Sequence, residues 1–277
     1  MTLPVSGPIS INDLNTEFGY GFGLDAYQGK TWFKTDLSTG VFPTGNIGLG
    51  NFYGTRIDDI TPTYQFLQTV VVGLKGAGVT TTLSNINIGA PDPTRRIIIF
   101  NVNDYYPAVP TFSQSATVAG LACTRRGNVP EGSTEIQSNY SAYVGRESVF
   151  ISPVIATGTT ANITLTCNAQ CHWSTIGIAR VTKVLANTAA DFIRNSFAWV
   201  NGSPSTNSVT MQAGTIAIAL GRFGPTSISN ATLRWNNGAG LYYGVSAGAD
   251  YQNLTRAVET RSFTISPTGG LAVYQIR

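Results

Sequence analysis

Beyond Tyr64 the apolar positions come in short β-branched runs separated by turn residues. Residues 69–74 (TVVVGL), 96–102 (RIIIFNV), 148–151 (SVFI), 162–166 (NITLT) and 175–181 (TIGIARV) are of this kind. Turns are announced between them at 90–93 (APDP), 128–132 (NVPEG) and 156–160 (ATGTT). Runs of this length and composition predict strands, and no helical period is sustained anywhere. Residues 189–194 (AADFIR) could form one helical turn at most.

A second round of the same pattern starts at Val209. Residues 214–220 parallel 96–102, 231–235 parallel 115–123, and 241–245 parallel 138–144. At the end, 262–266 and 271–276 mirror 163–166 and 176–181. This repetition predicts two related antiparallel β-sandwich units of jelly-roll-like form, the second shorter. The expected division is 57–184, a linker at 185–208, and 209–277. The near-continuous apolar runs around Ile98 and Ile218 are expected to be central strands covered on both faces.

The first fifth of the chain reads differently. Ile9, Ile11 and Leu14 are its first apolar positions, and Asn12-Asp13 can cap a short helical turn starting near Asp13. Between Gly19 and Gly54, glycine and proline are too dense for long regular elements, and the apolar residues are too few to close a core. Such a segment is expected to need a surface to lie on. It also contains a repeat: Ser6-Gly7-Pro8-Ile9-Ser10-Ile11-Asn12-Asp13-Leu14 is echoed by Thr44-Gly45-Asn46-Ile47-Gly48-Leu49-Gly50-Asn51-Phe52, closed by Tyr53-Gly54.

Two ordered copies, the second closed by Tyr-Gly, resemble the N-termini of structural proteins of tailed-bacteriophage virions, especially tail and tail-fibre components. The resemblance covers about the first fifth of the chain; Phe18-Gly19-Tyr20-Gly21-Phe22-Gly23 and Trp32-Phe33 depart from the more polar wording usual there. It implies that residues 1–56 attach the protein to the particle, with Ile9, Ile11, Leu14, Phe18, Ile47, Leu49, Phe52 and Tyr53 as docking residues.

Composition agrees with life in an assembly. Only 11% of residues are charged, and 30 Gly and 13 Pro provide many turns. The net charge of +3 is too small for a nucleic-acid footprint, and the pairs Arg95-Arg96 and Arg125-Arg126 are expected to flank strands. No apolar stretch is long enough to span a bilayer, so no membrane insertion is expected. The N-terminus has no basic region followed by an apolar one, so the chain is expected to be made in the host bacterial cytoplasm and to end up in the virion.

Chemistry finds little purchase. His172, the single histidine, sits beside Cys171 with Cys167 four residues earlier. In an extended strand neighbouring side chains diverge, and a fourth zinc ligand has no candidate but Cys123. No metal or other cofactor is therefore expected, and the three thiols are expected to be free, with a late Cys167–Cys171 or intersubunit bridge as the alternative. No nucleophile is partnered with His172. The acids Asp58, Asp59, Asp104, Glu131, Glu135, Glu147, Asp250 and Glu259 are expected in turns or edges as solvated charges. Residues 73–78 (GLKGAG) lack the Lys-Ser/Thr of a phosphate loop and read as a turn. Among aromatics bordering loops, Tyr105, Tyr106, Tyr242 and Tyr243 are candidates for glycan contact.

The reading that follows is a non-enzymatic structural component of a tailed-phage virion, of tail-fibre, baseplate or tail-tip type. The alternatives are a head-decoration or collar protein, or a receptor-binding module for bacterial surface carbohydrate. The expected partners are other virion proteins and further copies of itself, a trimer among the options.

Overall fold

In a computed structural model of the 277-residue chain, the described residues are 3–34, 39–57, 62–72, 80–105, 114–126, 144–167, 171–183, 192–200, 205–211, 214–222, 227–236, 246–253, 259–266 and 269–276. Two compact units result. One comprises Met1–Thr61 with Thr255–Ala257, and the other comprises Pro62–Leu254 with Val258–Arg277.

Among the described residues the large unit is all β. Its first half contains β4 (Thr63–Val72), β5 (Thr80–Asn87), β6 (Arg96–Tyr105), β7 (Gln114–Val118), β8 (Leu121–Ala122), β9 (Thr124–Arg126), β10 (Val144–Ile151), β11 (Thr160–Cys167) and β12 (Cys171–Thr182). One sheet has the order β4-β12-β6-β10-β9 and the other β5-β11-β7-β8, with antiparallel pairing throughout. Sequential strands thus alternate between two sheets in the jelly-roll manner. The segment 121–126 changes sheet at Cys123, whose N–H donates to the Ala116 carbonyl at 2.9 Å.

The second half repeats this plan with β13 (Phe192–Val200), β14 (Ser205–Met211), β15 (Ile216–Arg222), β16 (Ser227–Ile228), β17 (Thr232–Asn236), β18 (Ser246–Gln252), β19 (Glu259–Ser266) and β20 (Gly269–Ile276). Its sheets run β13-β20-β15-β18-β17 and β14-β19-β16. Strand for strand, β13 stands where β4 does, β20 where β12 does, and β15 where β6 does. The two copies therefore share a strand order.

The copy starts earlier than the apolar pattern suggests. Residues 185–208, expected as a linker, contain β13 and the start of β14, because β13 pairs along its length with β20, from Phe192↔Ile276 to Val200↔Gly269. Residues 192–194, expected in a helical turn, are the start of this strand. The 231–235 run corresponds in position to β9, not to β7 and β8, since it pairs with β18 as β9 pairs with β10.

Both long apolar runs are central and covered on both faces. Ile97 and Ile99 of β6 face the interior of the first roll, with Val118, Phe150, Ile163 and Ile178. Ile98 and Phe100 point the other way and meet Ile216, Ile218 and Leu220 of β15, together with Tyr274 and Ile276 of β20. Ala217 and Ala219 then face the interior of the second roll, with Met211, Phe263 and Val273. The rolls are stacked sheet on sheet, giving four layers and three apolar interfaces. A strand buried on both faces cannot alternate apolar with polar, which is why these two runs stand out in the sequence.

Polar groups fasten the same stack. Asp250 of β18 is buried, not solvated as its sequence context suggests. It accepts from Arg234 Nε at 2.6 Å and Nη2 at 2.8 Å, and from the Tyr64 hydroxyl of β4 at 2.7 Å. The Arg234 guanidinium also lies over the Phe66 ring, 4.8 Å from its centre. Burial first, then the neighbouring carboxylate, holds the Tyr64 phenol well above its ordinary pKa, so it remains a donor. Gln252 Nε2 adds a hydrogen bond to the Pro62 carbonyl at 2.6 Å.

Candidate attachment surface

The small unit does close a core, contrary to the expectation from its glycine and proline content. Its elements are α1 (Ile11–Phe18), two 3-10 turns (Leu24–Tyr27 and Leu49–Phe52), and a sheet of order β2-β1-β3 formed by β1 (Thr31–Lys34), β2 (Thr39–Val41) and β3 (Thr55–Arg56). Leu3, Ile9, Leu14, Phe18, Tyr27, Phe42 and Phe52 are buried together. The core is largely aromatic: Phe42 and Phe52 ring centres are 4.4 Å apart, Tyr27 and Phe52 5.3 Å, and Phe18 and Phe42 5.5 Å. Each ring removes far more surface from water than an aliphatic side chain, so few residues suffice.

The sequence repeat is a repeat of local geometry. Ser10 caps α1: its N–H donates to the Asp13 carboxylate at 2.8 Å, and Asp13 N–H donates back to Ser10 Oγ at 3.2 Å. In the second copy Gly48 N–H donates to Asn51 Oδ1 at 2.8 Å, at the start of the Leu49–Phe52 turn. In each case the next residue, Leu14 or Phe52, is fully buried. The motif therefore builds a capped turn that delivers one apolar side chain to the core. The helix begins at Ile11, two residues ahead of the expected start, because Ser10 is the cap. Gly19 ends it in the left-handed region, φ 71°, donating to the Asn15 carbonyl at 2.9 Å.

Long-range bonds close the unit. Leu3 N–H donates to the Thr55 carbonyl at 3.0 Å, Gly54 N–H to the Pro4 carbonyl at 2.9 Å, and the Tyr53 hydroxyl to the Gly7 carbonyl at 2.7 Å. Ile57 N–H donates to the buried Glu17 carboxylate at 3.1 Å.

This packing takes half of the eight expected docking residues out of reach of a partner. Ile9, Leu14, Phe18 and Phe52 are buried in the unit's own core and cannot meet a partner; Ile11, Ile47 and Tyr53 are half-buried against it. Leu49 alone of the eight is exposed, at 40%. The exposed large apolar side chains of this unit include others: Val5 is 80% exposed, Phe22 65% and Val41 59%. No pattern marks these three in the sequence, since each adjoins a glycine or proline turn or a short strand without alternation. Charge also divides the chain at this boundary. Residues 1–61 hold three Lys or Arg against six Asp or Glu, while the remainder holds 14 against eight.

Serine 10 holds the Asp13 carboxyl below the ordinary aspartate range, through its backbone N–H first and its hydroxyl second. A carboxylate whose pKa is depressed on folding stabilises above its unfolded value and loses that contribution as the pH falls through the folded one. The cap is thus expected to open only as the pH drops below about 4. NMR titration should show Asp13 protonating below a free aspartate, and Asp13→Asn should remove the acid-induced loss of the Ser10 amide's protection.

The other candidate residues are placed as follows. Tyr105 ends β6, its backbone opposite Val144 and Cys171. Tyr106, Tyr242 and Tyr243 lie outside the described residues. Register brings the ends of β6, β10 and β12 together there, so Tyr105, Cys171 and His172 share one end of the first roll. A bulge between Cys171 and Trp173 interrupts strict alternation at His172. Cys167 is buried, and burial pushes the half-buried Cys123 thiol up to about 12, which makes it a poor nucleophile. Among the described residues no group of three His, Cys, Asp or Glu converges as a metal site.

No protein-family model and no curated protein matches the chain. Solved structures with some likeness include dimeric latent PorU from Porphyromonas gingivalis, at 7% identity and TM-score 0.26, covering 72% of this chain and 20% of that one. The VP2 subviral particle of infectious bursal disease virus has 13% identity and TM-score 0.25, over 83% of this chain and 45% of that one. The Gt strain of the same virus has 15% identity and TM-score 0.25, over 88% and 47%. The chain thus spans less than half the length of each. Likeness at this level carries no functional argument.

Proposed function

We propose that the protein is a non-enzymatic structural component of a tailed-phage virion, of tail-fibre, baseplate or tail-tip type, attached through its N-terminal unit. The observation that carries this reading is the duplicated Ile-Ser/Gly-x-x-Asp/Asn motif. It resembles virion N-termini and here builds a small unit with its own aromatic core. Val5, Phe22, Val41 and Leu49 give that unit outward apolar side chains while its core residues hold it rigid. Its acidic balance fits a receiving surface that is apolar at the centre and basic at the rim.

The double jelly roll serves as the body of the particle component. Its outer faces present hydroxyls in place of charges, as in the ladders Thr80–Thr166 (2.9 Å) and Ser208–Ser262 (2.7 Å). The buried Asp250 is committed to Arg234 and Tyr64, which supports a structural role for it over an acid–base one.

The test is Phe22→Asp with Val41→Asp in one chain. Both positions are exposed, so the isolated protein should keep its fold and melting temperature. Its occupancy in purified particles, measured by quantitative mass spectrometry, should fall at least tenfold. Normal occupancy would refute attachment through these side chains.

A further inference from the structure

Eight strands form the sheet edges of the two rolls among the described residues. An open edge offers unpaired N–H and C=O groups to any incoming strand, and folded proteins blunt it with charge, bulges or shortness. Here β9, β13 and β17 carry Arg125 and Arg126, Arg194 and Arg234. Strands β8 and β16 are two residues long. Register shifts interrupt β4 opposite Ile178/Ala179 and β5 opposite Ala161/Ile163.

Strand β14 has none of these devices. It has seven residues (STNSVTM) without charge, proline or glycine, in unbroken register with β19 from Ser205↔Ile265 to Met211↔Glu259. Val209 and Met211 are buried on the inner face. Thr206, Ser208 and Thr210 are exposed on the outer face, bonded across to Thr264 at 2.8 Å, Ser262 at 2.7 Å and Thr260 at 3.3 Å. The strand is anchored on both faces, and alternate backbone groups point off its free edge.

We propose that β14 is where a second copy of this chain adds, β14 against β14, antiparallel about a two-fold axis at Ser208. Self-pairing sets Ser208 against its twin and Thr206 against Thr210, so the hydroxyl ladder continues across the junction. An isologous contact brings residues near the axis against their own kind, so any charge there would meet itself. The absence of charge from β14, when β9, β13 and β17 all carry arginine, meets that requirement. The joined sheet runs β16-β19-β14-β14-β19-β16 over two copies. This interface involves only the second roll and does not depend on the virion reading.

Light scattering on the size-fractionated full chain tests it. The wild type should be a dimer. Ser208→Lys, an exposed substitution at the axis, should halve the mass at equal concentration without changing the circular dichroism spectrum or melting temperature. Ser208→Glu should do the same, and mixing the two variants should restore the dimer, because opposite charges then meet. The mixing experiment separates lost pairing from lost folding, since a misfolded variant would not be rescued. A monomeric or trimeric wild type, an oligomer insensitive to Ser208→Lys, or a mixture that stays monomeric would overturn the proposal.

Discussion

Ile98→Asp is expected to unfold both jelly rolls in one transition, not the first alone. Ile98 is fully buried in the layer between the rolls, in the same apolar cluster as Ile218 and Tyr274 of the second. The substitution removes an apolar contact of about 1.5–3 kcal/mol. It also leaves a carboxylate inside an apolar cluster, costing several kcal/mol more or forcing it to protonate. Against a typical net stability of about 5–15 kcal/mol, that is enough to abolish the folded state of a marginal protein. Because the lost layer belongs to both halves, amide protection in β15 and β20 should collapse together with that in β6 and β12. Hydrogen exchange read by mass spectrometry checks this. Persistent protection of β15 while β6 exchanges freely would show that the halves are independent.

The second large effect is expected at Arg95. Its side chain is fully buried, yet its bonding partners are backbone carbonyls: Nε donates to Ile155 at 2.8 Å, Nη1 to Gly89 at 2.7 Å and to Ala90 and Gly158 at 2.9 Å, and Nη2 to Thr157 at 2.5 Å. One guanidinium thus ties the turn before β6 to the connection between β10 and β11. Desolvation lowers its pKa, but an arginine remains charged. Arg95→Met fills much of the volume and strands these carbonyls at about 1–3 kcal/mol for each that finds no water. The melting temperature should fall by about 10 °C or more. Arg95→Lys, with fewer donors, should fall in between. A melting temperature equal to wild type for Arg95→Met would mean that the carbonyls are satisfied in other ways.

The same residues show what a sequence reveals and what it hides. The strands around Ile98 and Ile218 were legible because burial on both faces leaves an unmistakable apolar run. The repeat of strand order was legible from those runs and from the two terminal strands. Strand β13 was not, since Phe192–Val200 lies where 189–194 suggested a helical turn and shows its nature only through its partner β20. Strand β18 (SAGADYQ) was also hidden: it has no apolar run, and Asp250 is tolerable there because Arg234 and Tyr64 reach it. Arg95 looked like a flanking charge because nothing local announces a cage built from two distant turns. The N-terminal core is not legible in the sequence because its rings are spaced irregularly among glycines. Hydrophobicity is what marks its expected docking residues, and that same property takes four of them inside.

We propose that residues 1–61 form a separately packed unit that attaches the protein to the virion. The most direct test is particle occupancy of a chain lacking residues 2–61, expressed beside the wild type and counted by mass spectrometry of purified virions. The truncated chain should be soluble, retain a β-type circular dichroism spectrum and be absent from particles. Incorporation at wild-type occupancy would contradict the claim.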